Sequence, residues 1–385
     1  MDGQTGAGLS RLQAQRGAWI ALTRPSSQRQ ICTVLSSKSR QPSPLALALG
    51  SVVGSRMCRI RGLVLRDDDV AQHQASACVG CYDTYARTRW GGTAVLFGIT
   101  MIPADFAISP VRLAHLVENY GFESIWLGEH SHVPTSRQSL YPSGGELPEE
   151  FLHFHDPLIS LAAIASVTTS LHLGTSTLVV PDHDPIMLAK QISSLDHLSS
   201  GRVMVGVGAG WNLEEIANHR VDPRYRVSIM CERVAAMKAI WTHDEAEYHG
   251  QFVDFDPIWQ WPKPIQKPFP PIYFGGQGKG VLQRVVDNAA GWLVSGRHFD
   301  EHRVVQWFNR LQQIASDQGH DPVPVSYQDG PANRGAIETC LIAGVERYIL
   351  RVPAADEATV AAALASHRAL IEPFNSTKPT STQHR

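Results

Sequence analysis

The stretch LDHLSSGRVMVGVGAGW, Leu195–Trp211, contains the end of a helical pattern, a turn, an apolar strand and a glycine-rich loop, in that order. Ser199-Ser200-Gly201 predicts a tight turn, and Val203–Gly208 is typical of a buried parallel strand. Glycines at the carboxyl end of such a strand allow backbone N–H groups to approach a phosphate closely. The stretch therefore predicts a βα unit whose loop can receive an anion.

A second glycine-rich loop lies downstream, where the apolar run Ile272–Phe274 leads into Gly275-Gly276-Gln277-Gly278. Taken singly, each loop is equally compatible with an ordinary strand-to-helix turn. Two such loops on one chain favour a phosphorylated cofactor, and a phosphorylated cofactor favours an enzyme.

The composition is that of a globular protein with a substantial core, with 43% hydrophobic and 18% charged residues in a chain of 385. A formal net charge of −2 provides no basic field, so a nucleic-acid partner is not expected. No apolar run is long enough to predict a membrane span. The six cysteines are scattered, which predicts a reduced, cytoplasmic protein.

The chain changes character near residue 95. Residues 3–66 contain no Asp or Glu and show no lasting periodicity, so residues 1–95 are predicted to be a disordered extension or an over-extended start. A targeting segment is a further alternative. Cys78-x-x-Cys81 lacks a second ligand pair, so no metal site is expected there. Residues 96–372 form the predicted catalytic domain, and residues 373–385 a flexible tail.

From Phe97 onward, eight apolar strand patterns alternate with helical patterns, which predicts an α/β protein with a parallel sheet. Eight βα units of this size match a (β/α)8 TIM barrel, with a long excursion at Asp244–Pro271 between the fourth and fifth strands. An open doubly wound sheet is the alternative, but its glycine fingerprint is missing from Ile102–Asp105. The strand patterns are Phe97–Ile102, Ser124–Gly128, His172–Val180, Arg202–Gly208, Ile272–Gly275, Trp292–Ser295, Val323–Tyr327 and Arg347–Val352.

The active site of such a barrel lies at the carboxyl ends of its strands, and Glu129 and His130 end the second strand. His130 is the candidate proton donor, and Glu129 either fixes its tautomer or binds backbone; a solvent-facing polar loop is the alternative. Neighbouring strand residues face opposite sides, so a metal ion bound by both is not expected.

One predicted helix carries three charged residues, Arg226, Glu232 and Arg233, which predict a structural ion pair. Further candidate substrate contacts are His132, Asp182, His183 and Arg297.

Four segments together resemble the luciferase-like monooxygenase superfamily, and specifically its deazaflavin (coenzyme F420)-dependent oxidoreductases from actinobacteria. These segments are Tyr120–His130, Leu173–Thr177, Leu195–Trp211 and Pro270–Gly276. Enzymes that use flavin mononucleotide, FMN, share most of these motifs, so FMN is the alternative cofactor. The resemblance also implies a homodimer and a small-molecule substrate.

The resemblance implies that the cofactor ring lies in the barrel mouth, in front of a bulge in the third strand that contains a cis peptide between Ser176 and Thr177. The phosphate tail is then expected on backbone of the two glycine loops, while Trp211 either stacks on the ring or caps the barrel. The residues implied to bind the cofactor are Ser176, Thr177, Ala209, Gly210, Trp211, Gly275, Gly276 and Gln277.

Trp211 occupies a position where deazaflavin-dependent sugar-phosphate dehydrogenases carry a glutamate, and Val133-Pro134 replaces a tryptophan of those enzymes. These departures predict a bulkier, flatter or more apolar substrate than a sugar phosphate. The predicted function is hydride transfer between F420 and a small organic substrate, with His130 on the proton route. The alternatives are an FMN-dependent monooxygenase that uses O2 and a non-catalytic cofactor-binding barrel.

Overall fold

Eight parallel strands close into a barrel in the computed structural model, which describes residues 96–375. Around the barrel the order is β1, β2, β3 with its continuation β4, β5, β8, β9, β10 and β11, and β11 pairs with β1. The strands are β1 Leu96–Met101, β2 Ser124–Leu127, β3 His172–Thr175, β4 Leu178–Val179, β5 Val203–Gly208, β6 Glu245–His249, β7 Asp254–Trp259, β8 Ile272–Gly275, β9 Gly291–Ser295, β10 Val325–Gln328 and β11 Arg347–Arg351.

Helices follow the barrel strands and cover the outside of the sheet. Three of them begin with a proline preceded by Ser109, Asp156 or Asp184, whose side chain accepts the backbone N–H three residues on. The helices are α1 Pro110–Asn119, α2 Pro157–Ala165, α3 Pro185–Leu198, α4 Leu213–Asn218, α5 Arg226–Thr242, α6 Val281–Asn288, α7 Glu301–Asp317, α8 Arg334–Ala343 and α9 Glu357–Asn375.

The prediction of a TIM barrel is confirmed, and the open sheet is excluded because the circle of strand pairs is complete. Leu173 of β3 pairs with Val203 of β5, and Leu96 of β1 pairs with Arg347 of β11. The predictions for residues 1–95, including Cys78 and Cys81, lie outside the described residues. None of the helices in residues 96–375 has both the length and the apolar character needed to cross a bilayer.

The excursion between the fourth and fifth barrel strands contains the antiparallel hairpin β6–β7. Glu232 on α5 anchors it by accepting the backbone N–H groups of Phe252 and Val253 at 2.6 and 2.7 Å. Arg233 donates to the carbonyls of Val180 and Pro181 instead of to a carboxylate. The predicted ion pair on α5 is therefore wrong, because loop backbone supplies the partners of these charged groups.

The largest side chain in the interior of the barrel is that of Trp126. The Trp126 indole is fully buried and packs with Met204, Tyr273, Leu293 and Ile349 inside the barrel. A Cβ at Gly174 would lie 2.3 Å from the Trp126 ring, so glycine is what makes room for the indole. The barrel therefore has a packed centre at the level of Trp126.

Candidate active site

A cavity of about 400 Å³ lies at the carboxyl ends of the barrel strands. All ten residues that the sequence predicts for catalysis and cofactor binding line this one cavity. They are Glu129, His130, Ser176, Thr177, Ala209, Gly210, Trp211, Gly275, Gly276 and Gln277.

The His130 imidazole has a partner at each ring nitrogen. Its Nδ1 lies 2.6 Å from a carboxylate oxygen of Glu215, and its Nε2 lies 3.1 Å from the indole nitrogen of Trp211. An indole N–H can only donate, so Nε2 accepts and the ring proton sits on Nδ1. His130 is therefore a neutral imidazole of defined tautomer, with 7% of its side chain exposed.

Glu215 is a residue of the candidate site that sequence reasoning missed. It lies in the short helix α4, after the capping residue Asn212, and it also accepts the backbone N–H of Ser131 at 2.8 Å. Burial pushes the pKa of Glu215 upward, but the hydrogen bonds from His130 and Ser131 outweigh burial and leave that pKa below its usual value. Glu215 is thus a buried carboxylate that holds the imidazole in place.

Glu129 lines the cavity but does not contact His130. Its carboxylate accepts the backbone N–H of Val179 at 2.6 Å and lies 2.9 Å from Nε2 of His183. β2 ends at Leu127, so Glu129 and His130 lie in the loop after it, and their side chains have separate partners. Glu129 joins β2 to β4, and Glu215 fixes the tautomer of His130.

Asp182 and His183 lie behind Glu129 and, like His132, are absent from the lining of the cavity. The short 3-10 turn Val180–Asp182 places Asp182 and His183 there, whereas Arg297 lines the cavity. Burial, with the negative charges of Glu215 and Glu129, raises the pKa of Asp182 to about 7.

An aromatic wall surrounds His130 on the cavity side. The ring centroids of Phe151, Phe154 and Trp211 each lie 5.5 Å from that of His130. Tyr141 extends the wall, with ring-centroid distances of 5.3 Å to Phe151 and 6.0 Å to Trp211. Three of these rings come from the segment between β2 and α2, which carries no periodic pattern.

The two glycine loops form a further part of the cavity lining. Gly210 and Gly276 have φ values of +74° and +108°, a backbone region that L side chains rarely adopt. A Cβ at Gly276 would meet no atom within 4 Å, so this loop borders open space. The peptide between Ser176 and Thr177 is cis, in agreement with the resemblance, and a Cβ at Gly275 would lie 2.7 Å from the Thr177 methyl group.

Two arginines line the cavity without a carboxylate partner among the described residues. Arg226 donates to the carbonyl of Pro223, and Arg284 donates to that of Lys279. Their Nε atoms, together with Oγ of Ser176, are buried and have no hydrogen-bond partner in residues 96–375. The cavity therefore contains polar groups whose hydrogen bonds the protein itself does not complete.

Another charged group lies at the ends of β9, β10 and β11. The Asp329 carboxylate accepts from Nε of Arg297 at 2.9 Å, and from Nε and Nη2 of Arg351 at 2.8 Å each. Arg297 also donates to the hydroxyl of Tyr141. Two guanidinium groups thus share one carboxylate at the edge of the cavity.

The model of the family described as luciferase-like monooxygenase matches residues 107–328, more than half of the chain. The chain belongs to the luciferase-like monooxygenase family. An uncharacterized protein of Mycobacterium tuberculosis (strain ATCC 25618 / H37Rv) is 40% identical to it over 232 residues, which cover 59% of this chain and 81% of that relative.

Other proteins that resemble this luciferase-like chain, in sequence or in fold, include an oxygenase and a dehydrogenase. The oxygenase component of a flavin-dependent trigonelline monooxygenase from Acinetobacter baylyi (strain ATCC 33305 / BD413 / ADP1) is 26% identical over 196 residues, 50% of each chain. An F420-dependent secondary alcohol dehydrogenase, solved with an F420-acetone adduct, has a TM-score of 0.59 at 15% identity. The match covers 73% of this chain and 99% of that one, and it shows a shared fold.

The luciferase-like barrel thus combines three chemical features in one cavity: glycine loops flanked by arginines, a neutral imidazole of fixed tautomer, and a wall of aromatic rings. The first feature suits an anionic group. The imidazole of His130 can take up or return a proton at Nε2 once the Trp211 indole is displaced.

Proposed function

We propose that this protein is an oxidoreductase that transfers a hydride between the deazaflavin coenzyme F420 and a small organic substrate in the cavity. The observation that carries the proposal is the His130 imidazole, which Glu215 holds in one tautomer beside the glycine loops. Hydride transfer to or from an alcohol or carbonyl requires a matching proton transfer at the substrate oxygen. His130 is the group suited to that transfer.

The lining of the cavity supports a bound cofactor with an anionic tail. The loop at Gly276 leaves open space, and the unpartnered Nε atoms of Arg226 and Arg284 provide cationic donors near it. The residues that would hold the cofactor are Ser176, Thr177, Ala209, Gly210, Trp211, Gly275, Gly276 and Gln277.

When bound, the deazaflavin supplies an acceptor or donor for one hydride. The side chains provide the rest of the chemistry. In the oxidising direction a substrate hydroxyl replaces the Trp211 N–H at Nε2 of His130, and Nε2 accepts the hydroxyl proton as the substrate C–H bond breaks. Glu215 stabilises the imidazolium that results, and in the reducing direction the same nitrogen returns the proton.

The experiment that tests the proposal is a comparison of the two cofactors. Purified protein is titrated with F420 and with FMN while the tryptophan fluorescence and the cofactor absorbance are recorded. We expect tight binding of F420, which absorbs at shorter wavelength than oxidised flavin, and reduction of F420 by a panel of alcohols or its re-oxidation by carbonyl compounds.

Each remaining outcome assigns a different function. Oxygen consumption with reduced FMN, and no reaction with F420, would make the protein a flavin-dependent monooxygenase, as the trigonelline relative is by name. Binding of F420 without turnover of a broad panel would support a non-catalytic cofactor-binding barrel. Either result would overturn the proposed hydride transfer.

A further inference from the structure

We infer that the substrate of this cavity is a carboxylic acid with a flat apolar body, and that Arg297 and Arg351 bind its carboxylate. The inference rests on the proposed function in that the cavity is taken to be the substrate site. It adds the chemical class of the substrate and the residues that select it.

The charges of the cavity lining favour an anionic occupant. Four arginines line the cavity, whereas the carboxylates in the lining are Glu129 and Asp329. Glu129 is already bonded to backbone and lies beside His183, so it does not neutralise any of these arginines. The four arginines are Arg226, Arg284, Arg297 and Arg351.

The arginine pair at the ends of β9 and β11 carries one positive charge more than its partner offsets. Both oxygens of Asp329 are used by Arg297 and Arg351, and no other carboxylate of residues 96–375 forms an ion pair with either guanidinium. Asp329 is almost fully buried, with 5% of its side chain exposed, whereas 23% and 31% of the two arginine side chains are exposed. A guanidinium has five N–H donors, so donors remain for a bidentate bond to a second carboxylate.

The position of this pair suits a substrate that also reaches His130. In the closed order of eight strands, β9 lies four strands from β2, on the opposite side of the barrel. The hydroxyl of Tyr141, from the loop after β2, accepts a hydrogen bond from Arg297. Tyr141 thus connects the β2 side of the cavity with the arginine pair. A substrate bound at Arg297 by one end presents its other end toward the imidazole.

The space between the two ends is bordered by aromatic rings, which sets the shape of the substrate body. Phe151 lies between the two groups, because its ring contacts His130 at 5.5 Å and the Arg297 guanidinium lies 5.6 Å from its centroid. Tyr141 and Trp211 continue the same wall. Flat or unsaturated carbon skeletons gain most from contact with such rings.

The test compares an acid with its neutral counterpart of similar shape on cofactor-loaded protein. Cinnamate and cinnamamide are titrated in parallel, and binding is followed by tryptophan fluorescence and by calorimetry. We expect cinnamate to bind at least about 10-fold more tightly, since only the carboxylate forms charge-assisted hydrogen bonds with the two guanidinium groups. Arg297→Gln and Arg351→Gln should each remove most of this preference and leave the affinity for cinnamamide within about 2-fold.

Two further variants keep the test independent of misfolding. Arg297→Lys retains the charge without the planar fork and should retain part of the preference. Arg303→Gln, an exposed arginine on α7 outside the cavity, should leave both affinities unchanged. The comparison of the two ligands on the unmodified protein needs no variant at all.

Equal affinities for acid and amide, no binding of either, or a preference that survives both glutamine variants would overturn the inference. Cinnamate binding to cofactor-free protein alone would also overturn it, because the arginines would then belong to the acidic tail of the cofactor. Cofactor loading is verified by absorbance before each titration. A protein that loads F420 and shows no acid preference therefore refutes the substrate class and leaves the proposed hydride transfer intact.

Discussion

His130 has one permanent and one replaceable partner. Glu215 is buried, with 2% of its side chain exposed, and its hydrogen bonds with Nδ1 of His130 and the N–H of Ser131 hold it in place. Trp211 lies in the cavity lining and offers a single N–H, which a substrate hydroxyl can replace as the donor to Nε2 of His130. The nitrogen of His130 that can exchange a proton with a substrate is therefore Nε2.

Replacing His130 by glutamine is expected to lower turnover by about 10²–10⁴-fold, the usual contribution of a positioned acid–base group. The cofactor affinity should change little, because glutamine retains a hydrogen-bonding side chain of similar reach. Turnover is measured with F420 and an accepted substrate, and His132→Gln, a nearby histidine outside the cavity lining, is the matched control. Unchanged turnover of the His130→Gln variant would remove the assigned role.

The raised pKa of Asp182 makes the free energy of unfolding depend on pH. Its pKa is raised from 3.8 to about 7, so the native protein retains a proton that the unfolded chain has already lost. Stability from this group therefore falls as the pH rises from about 4 to about 7 and stays low above that window. Asp182→Asn is expected to raise Tm at pH 8 by a few degrees, since 1 kcal/mol moves Tm by roughly 2–4 °C at this size.

Thermal unfolding of Asp182→Asn and of the unmodified protein between pH 5 and pH 8 checks this prediction. The difference in Tm should shrink as the pH falls from 8 to 5, because the Asp182 carboxyl of the folded protein is then protonated and as uncharged as the amide that replaces it. Asp317→Asn, at an exposed position near the end of α7, should give a difference that does not vary with pH. A constant loss of stability in Asp182→Asn would contradict the assignment.

The loops after β5 and β8 depend on glycine for their backbone conformation. Gly210 and Gly276 have positive φ values, which other residues adopt only with strain. They differ in their surroundings. A Cβ at Gly210 would meet Val179 at 2.9 Å, whereas one at Gly276 would enter open space beside the cavity. Substitution at Gly276 therefore separates effects on a ligand from effects on packing.

Gly276→Ala is expected to lower the free energy of unfolding by roughly 1–2 kcal/mol, the cost of the left-handed backbone, and to weaken cofactor binding by about 10-fold or more. Gly319→Ala is the matched control, because Gly319 has a φ of +72° and open space around it. It should show a similar loss of stability with normal cofactor affinity. Equal cofactor affinity in both variants would show that the loop at Gly276 does not approach the cofactor.

The eight βα units were predictable from the sequence because each strand is a continuous apolar run and several helices begin with a capped proline. The short helix α4 was missed, since six residues give too little periodicity, and Glu215 was missed with it. The local signal was present: Asn212 followed three residues later by Glu215 is the pattern of a capping box. The positions of Tyr141, Phe151 and Phe154 depend on tertiary packing of an aperiodic loop, which no local pattern encodes.

For the whole molecule, a buried ion pair joins distant parts of the chain at the end of the barrel opposite the cavity. Arg347 begins β11 and Glu123 precedes β2, and two hydrogen bonds of 3.0 Å connect them across β1. Arg347 is fully buried, and the guanidinium charge lowers the pKa of Glu123 against the opposing effect of burial. The pair therefore matters for closure of the barrel and not for the chemistry of the cavity.

Arg347→Met is expected to lower the free energy of unfolding by about 3–5 kcal/mol, because it removes the guanidinium from the largely buried Glu123 carboxylate and leaves only His172 within ion-pair distance among the described residues. Urea unfolding measures the loss, and cofactor affinity should be normal at temperatures where the variant is folded. The double variant Glu123→Gln, Arg347→Met should recover part of the stability. A single variant as stable as the unmodified protein would show that the pair does not contribute to closure.

The buried indole of Trp126 has a kinetic consequence. Because the indole blocks the barrel axis, the proposed cofactor and substrate cannot enter from opposite ends of the barrel. Both must use the route at the carboxyl ends of the strands. The ligand that binds deeper in the cavity has to bind first and dissociate last. Steady-state product-inhibition patterns should therefore show compulsory-order binding.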